Sequence, residues 1–341
     1  MTDADIFLIA GKLAGSHVVS VAPVVGGGNN RLYCVSTDTG RYALKSYLRQ
    51  DTDPRDRLNT EFRAMRFLNQ HNDPAIPTAV ACDPGAGFAL YEWVDGFDIS
   101  NPGESEIMAA LDFVKRLKSL SREKSARELP LASEACLSAQ ELIKQVQARL
   151  TRLRDVSATH RPLKAFLDND LAPLFSILRD RVLNAYAAGR WLPERDIDEA
   201  FRILSPSDFG FHNALRTVDG DILFIDLEYF GWDDPVRLVA DFLLHPGMQL
   251  RDVLKRKFAD EAAVIFCDDG NFKERFDLLY PLIGLRWVLI ILNDFLPERQ
   301  ERRRFASQMD PKMSQERNLV KASELLKTIK NNGRHSPYGY S

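Results

Sequence analysis

Apolar and polar residues alternate along three early runs, His17 to Val25, Leu32 to Thr37 and Tyr42 to Tyr47, and the period predicts strands. The last two are joined across an Asp38-Thr39-Gly40-Arg41 turn. The period then changes: Leu58, Phe62, Met65 and Leu68 recur at helical spacing, with Glu61 in the first turns of the helix they predict. Strand-like runs return at Thr78 to Cys82 and from Phe88 through Glu92 and Val94, the latter passing into a polar connection at Asp95-Gly96. Helical patterning fills residues 104–200, near Glu104 to Ser121, Ser138 to Leu153 and Asp170 to Gly189. Val218-Asp219-Gly220-Asp221 predicts a tight turn, and Ile222-Leu223-Phe224-Ile225 a short strand closing on Asp226. Asp234-Pro235 then starts a helix from Val236 to Leu244, on which Asp241 faces inward as a structural anchor. Residues 259–297 give two further helices, one through the nearly all-apolar Leu282 to Leu292, and Ser314 to Ile329 gives another. Glu298 to Arg304 reads as an exposed linker and Asn331 to Ser341 as a frayed tail.

The order of these elements predicts an α+β protein of two lobes. Residues 1–94 form a small lobe with an antiparallel sheet and one helix, and residues 95–341 a larger, mostly helical lobe. A chain of 341 residues has room for both cores. A net charge of -3 gives no general reason to expect nucleic acid or an anionic membrane as partner. The apolar run Tyr280 to Leu296 is interrupted by Arg286, Asn293 and Asp294 and falls short of a membrane span. Cys34, Cys82, Cys136 and Cys267 are scattered without a Cys-x-x-Cys pair, which argues against a zinc site or a disulfide framework and fits a cytoplasmic protein.

Candidate chemistry lies at a few points of this pattern. Gly26-Gly27-Gly28-Asn29-Asn30-Arg31 can bring backbone amides close to phosphate, although a glycine-rich hairpin is often only a hairpin. The loop lacks the Gly-Lys-Ser/Thr of a P-loop and leads into a strand, which disfavours both a P-loop enzyme and a dinucleotide-binding domain. Lys45 shares a strand face with Ala43, and a lysine on such a strand paired with a helical glutamate, Glu61, is the arrangement that holds nucleotide phosphates in kinase-like folds. Backbone groups near Glu92 and Val94 can hydrogen-bond an adenine ring; a buried strand followed by a turn is served by the same residues. The hairpin region from Ser205 to Asp226 sets Asp208, Asn213 and Asp226 together. Two carboxylates and an amide oxygen there suit phosphoryl transfer, one orienting a hydroxyl and the others holding Mg²⁺, and the same residues also serve to cap turns.

Taken together, the chain resembles the aminoglycoside phosphotransferase and choline kinase family, small-molecule kinases on the protein-kinase-like fold. The motifs are Gly26-Gly27-Gly28-Asn29-Asn30-Arg31-Leu32-Tyr33, Lys45, Glu61, Leu90 to Gly96, Asp208 with Asn213, and Asp226 with Gly231-Trp232-Asp233-Asp234-Pro235. The resemblance implies an ATP- and Mg²⁺-dependent phosphotransferase acting on a hydroxyl of a small polar molecule. It makes Asp208 the catalytic aspartate, Asn213 and Asp226 the metal ligands, and Lys45 with Glu61 the phosphate-binding pair. It makes Gly27, Gly28 and Asn29 part of the nucleotide loop, and Glu92 and Val94 the adenine-binding hinge. Where the family has His-Gly before its catalytic aspartate, this chain has Pro206-Ser207. That departure motivates the rival reading, a catalytically weak nucleotide-binding or scaffolding protein. Asp208-Phe209-Gly210 spells a protein-kinase metal motif, yet no asparagine occurs between Tyr186 and Phe211 to complete that assignment. The short segment from Asp226 to Val236 also leaves no room for a protein-kinase activation segment.

Overall fold

Alternation along the first strands gives the N-terminal sheet two unlike faces, and the packing follows from them. Strands β1 (Val18–Val24), β2 (Asn30–Thr37), β3 (Gly40–Tyr47), β4 (Ala79–Asp83) and β5 (Phe88–Glu92) pair antiparallel in the order β1-β2-β3-β5-β4. Val35, Leu44, Phe88 and Leu90 are buried against Ile6, Ala10 and Leu13 of a helix, α1 (Asp3–Ala14). The other face of β3 carries Lys45 and Tyr47, both bonded to Glu61 of α2 (Arg57–Gln70). The α2 helix begins where Asp56 accepts from the Asn59 N–H, and its buried stripe runs through Leu58, Glu61, Met65 and Leu68. The computed structural model describes residues 3–24, 30–47, 55–248, 250–297, 311–332 and 335–338.

The sheet of the small lobe therefore carries one helix more than the sequence suggested. Its stripe of Ile6, Ala10 and Leu13 has helical spacing, but Phe7 and Leu8 are exposed and blur the pattern.

The chain forms two compact units, Met1–Glu134 with Ile203–Trp232, and Ala135–Arg202 with Asp233–Ser341. The first contains all of residues 1–94 and adds β6 (Gly96–Asp98), α3 (Glu104–Leu120) and the strands β7 (Ile203–Ser205), β8 (Ala214–Thr217) and β9 (Ile222–Phe224). The β8–β9 pair is the predicted hairpin, and β6 joins it in an antiparallel order β6-β8-β9. Its turn uses Gly220 at φ 94, the left-handed backbone that glycine adopts without steric cost.

In the second unit, α4 (Ala139–Val156), α5 (Arg161–Ala165), α6 (Ala172–Ala188), α7 (Pro235–Leu244), α8 (Asp252–Ile265), α9 (Phe272–Ile291) and the helix Pro311–Asn331 pack together. The α8 helix starts earlier than the 259–297 segment suggested. By length and composition α9 with the turn after it could cross a membrane, but most of it is buried inside its own unit. The buried charges of this unit are paired: Arg275 with Asp234 and Asp269, and Arg286 with Asp241. Asp241 anchors α7 as expected, accepting from Trp287 Nε1 at 2.7 Å and Arg237 Nε at 3.1 Å. The expected frayed tail differs: Ser336 donates its backbone N–H to Asp277 at 2.9 Å, and Tyr338 is buried edge-on against Tyr280. The segment Glu298 to Arg304, expected as a linker, lies outside the described residues.

Candidate functional site

The site lies wholly within the first unit, and its centre is Lys45. Strand β3 is the middle strand of the sheet, so Lys45 rises from a position flanked on both sides, paired in register with Leu32 and Ala89. Its ammonium donates to Glu61 Oε2 at 2.7 Å and to Asp226 Oδ1 at 2.6 Å. Lys45 is 12% and Glu61 2% exposed at the side chain, so neither charge is stable there alone. Burial would lower the Lys45 pKa, but Glu61, Asp226 and Glu228 outweigh it and hold the ammonium charged. Burial pushes Glu61 up to about 7 against the pull of Lys45.

Asp226 follows β9 with φ 63, a left-handed backbone uncommon for any residue but glycine. The Ile225 N–H just before it donates to the Asn213 carbonyl at 2.9 Å, which ties the two ends of the hairpin together. Asn213 closes a 3₁₀ turn, Phe211–Asn213, and donates its side-chain amide to the Asp208 carbonyl at 3.0 Å. That bond uses the Asn213 amide nitrogen and not its oxygen, and Asp226 engages Lys45 through one oxygen of its two. An amide oxygen and a carboxylate oxygen form a hard donor set that fits Mg²⁺.

Asp208 sits after Pro206-Ser207, and the local geometry accounts for that pair. Ser207 takes φ 68, and the Asp208 N–H turns back to the Pro206 carbonyl at 2.8 Å. Ser205 Oγ accepts from the Ser207 N–H at 3.1 Å, and Ser207 Oγ donates to the Ser133 carbonyl at 3.3 Å. Serine thus adopts the backbone conformation that glycine reaches freely, held by two polar contacts. Beneath it, Phe209 packs against Phe113 and Phe224 with ring centroids 5.8 and 5.0 Å apart. The Asp208 carboxylate remains one-third exposed, with Oδ1 at 3.2 Å from His212 Nε2.

Of the nucleotide-loop residues, Gly27, Gly28 and Asn29 lie outside the described residues. Glu92 ends β5, its N–H donating to the Thr78 carbonyl at 2.8 Å and its carboxylate accepting from Thr78 Oγ1 at 2.7 Å. Among the described residues no hydrogen bond engages the backbone of Val94, which is half-buried. Lys45, Glu61 and Asp226 are brought into direct contact, whereas Glu92 bonds instead to Thr78.

Sequence reasoning missed Tyr47, Glu228 and His212. Tyr47 donates to Glu61 Oε2 at 2.7 Å. Glu228 is buried and accepts from Asn30 Nδ2 at 2.7 Å and pairs with Arg57 at 3.3 Å. Oxygens of Glu61, Asp226 and Glu228 lie within 4.8 Å of one another, a concentration of negative charge that Lys45 and Arg57 offset. A strand face shared by residues 45 and 47 was the available signal for Tyr47.

Residues 20–270 match the family described as the phosphotransferase enzyme family. No curated protein matches the chain. Among solved structures, a choline kinase from Cryptosporidium parvum is 14% identical, with 97% of each chain covered and a TM-score of 0.60. A spectinomycin phosphotransferase in complex with ADP and spectinomycin is 13% identical over 96% of this chain and 94% of that one, with a TM-score of 0.60. A Plasmodium vivax ethanolamine kinase is 17% identical over 89% of this chain and 82% of that one, with a TM-score of 0.55. At such identities the likeness establishes the fold, that of the protein-kinase-like small-molecule kinases.

Proposed function

The chain belongs to the phosphotransferase enzyme family, and from that premise we propose that it is an ATP- and Mg²⁺-dependent kinase of small molecules. It transfers the terminal phosphoryl group of ATP to a hydroxyl of a small polar acceptor, such as a sugar, an amino alcohol or an aminoglycoside-like compound. The observation that carries the reading is the buried Lys45, held between Glu61 and Asp226 by bonds of 2.7 and 2.6 Å. A lysine fixed by a helical glutamate and placed beside a metal-binding aspartate is what phosphoryl transfer requires, because its catalysis is mostly positioning and charge stabilisation.

In this reading Lys45 meets the nucleotide phosphates and Glu61 orients it. The Glu92 carbonyl and the Val94 N–H bind the adenine edge. Asp208 orients the acceptor hydroxyl and takes its proton as the oxygen attacks phosphorus and the bond to the leaving ADP breaks. Asn213 and Asp226 would hold Mg²⁺, which would supply positive charge against that of the phosphates. The four cysteines, all free, fit action in the cytoplasm.

The test is ATP turnover with Mg²⁺ against choline, ethanolamine, spectinomycin and simple sugars. ADP release is expected with at least one acceptor, and Asp208→Asn is expected to lower it by about 10²–10⁴-fold while still binding ADP. Equal turnover by Asp208→Asn overturns the role of Asp208. Binding of ATP with Mg²⁺ and no turnover across the panel favours a nucleotide-binding protein that does not catalyse.

A further inference from the structure

Behind Lys45 runs a buried chain of hydroxyls that the reading above does not use. Tyr47, on the same face of β3, is 7% exposed, and its hydroxyl lies 2.7 Å from Glu61 Oε2, the oxygen that also accepts from Lys45. The hydroxyl of Tyr91, 5% exposed, lies 2.8 Å from that of Tyr47. An ionised carboxylate only accepts, and a phenol has a single proton to give. Tyr47 therefore donates to Glu61, and Tyr91 donates to Tyr47. Burial raises the pKa of both phenols, so each keeps the proton it donates.

We propose that Tyr47, supported by Tyr91, is a positioning residue for Lys45: its hydroxyl pins the Glu61 carboxylate that aims the ammonium at the nucleotide phosphates. The inference rests on Lys45 being the phosphate-binding cation. Glu61 has several rotatable bonds, and two donors on one oxygen hold the carboxylate in a single orientation. Without Tyr47, Lys45 alone among the described residues holds it, while Asp226 at 2.6 Å competes for the same ammonium. Tyr91 immediately precedes the hinge residue Glu92, so the hydroxyl chain links the strand proposed to bind adenine with the group proposed to bind phosphate.

Tyr47→Phe removes the donor and keeps the ring, whose centroid is 5.1 Å from Lys45 Nζ. Its affinity is measured calorimetrically for ADP with Mg²⁺ and, separately, for adenosine, which lacks phosphate. The expected result is an ADP Kd raised about fivefold to tenfold, as for loss of one ordinary hydrogen bond, with adenosine binding unchanged. In a Glu61→Gln background the same substitution should add less than about twofold, because both act through one carboxylate. Lys45→Met serves as the control. If it weakens ADP binding and Tyr47→Phe does not, the inference is overturned and the reading of Lys45 stands; if Lys45→Met binds ADP as the parent does, that reading falls as well. Equal losses for ADP and adenosine in Tyr47→Phe assign the tyrosine to packing and overturn the inference. Should Tyr47→Phe fail to fold, Tyr91→Phe is read the same way, with a rise of about twofold expected; failure of both to fold makes the chain structural and overturns the inference.

Discussion

Ser207 holds a backbone conformation that costs a non-glycine residue roughly 1 kcal/mol or more, and the residue on which the proposed chemistry turns comes next. Its φ of 68 is offset by contacts to Ser205 and Ser133. Ser207→Gly should relieve the dihedral cost and lose the Ser133 contact, leaving stability within about 1 kcal/mol of the parent. Ser207→Val, β-branched at a positive φ, should cost about 2–3 kcal/mol. Denaturant unfolding measures both, and ADP release shows whether Ser207→Gly stays active. The departure from His-Gly was visible in the sequence, but the positive φ that Ser207 adopts was not, because a dihedral is not written in a residue name. Lys45, Glu61 and Asp226 were legible as charges at family spacing, and the structure brings all three together. Glu228 and His212 were not, since no spacing marks them, and Tyr47 was signalled only by the strand face it shares with Lys45.

The hairpin that carries Asp208 and Asp226 is tied to the start of a helix. Glu106, buried in the first turn of α3, accepts from the Gly103 N–H at 2.6 Å and pairs with Arg216 of β8 at 2.7 Å. Burial alone would raise its pKa, but the Gly103 and Ser105 bonds and Arg216 bring it below the ordinary value. A depressed carboxylate stabilises the fold above its unfolded pKa, near 4.3, and the benefit is lost as the pH falls through the folded value. Glu106→Gln should therefore cost about 1–2 kcal/mol at pH 7, and the difference from the parent should shrink below pH ~4. Urea unfolding of both proteins from pH 3 to 7 measures this. Most elements were legible from period alone, α2 and the β8–β9 hairpin with little error at their ends. The α1 helix was hidden because two large apolar residues face outward, and the start of α8 because its apolar positions thin out before residue 259.

At the scale of the molecule, residues far apart in sequence complete each other. Tyr338 is 7% exposed against Tyr280 and Phe276, while Asp277 binds the Ser336 N–H and the His335 ring. Truncation after Asn332 should cost about 2–3 kcal/mol through the lost aromatic burial, lowering the Tm measured by calorimetry by roughly 3–4 °C. The tail read as frayed because its glycines and polar residues signal a loose end, and the surface that receives Tyr338 is assembled by helices remote from it in sequence. The two-lobed plan was legible as a change of period from strand to helix. The return of Ile203–Trp232 to the first unit was not, since no period records which partner a strand will find. The pairing of Lys45 with Asp226 across 181 residues also sets a timetable for the newborn chain. At a synthesis rate of about 5–20 residues per second, Lys45 waits roughly 10–40 s for its second carboxylate to be made. Throughout that interval the nascent sheet lacks one of the two carboxylates that hold Lys45 in the finished protein.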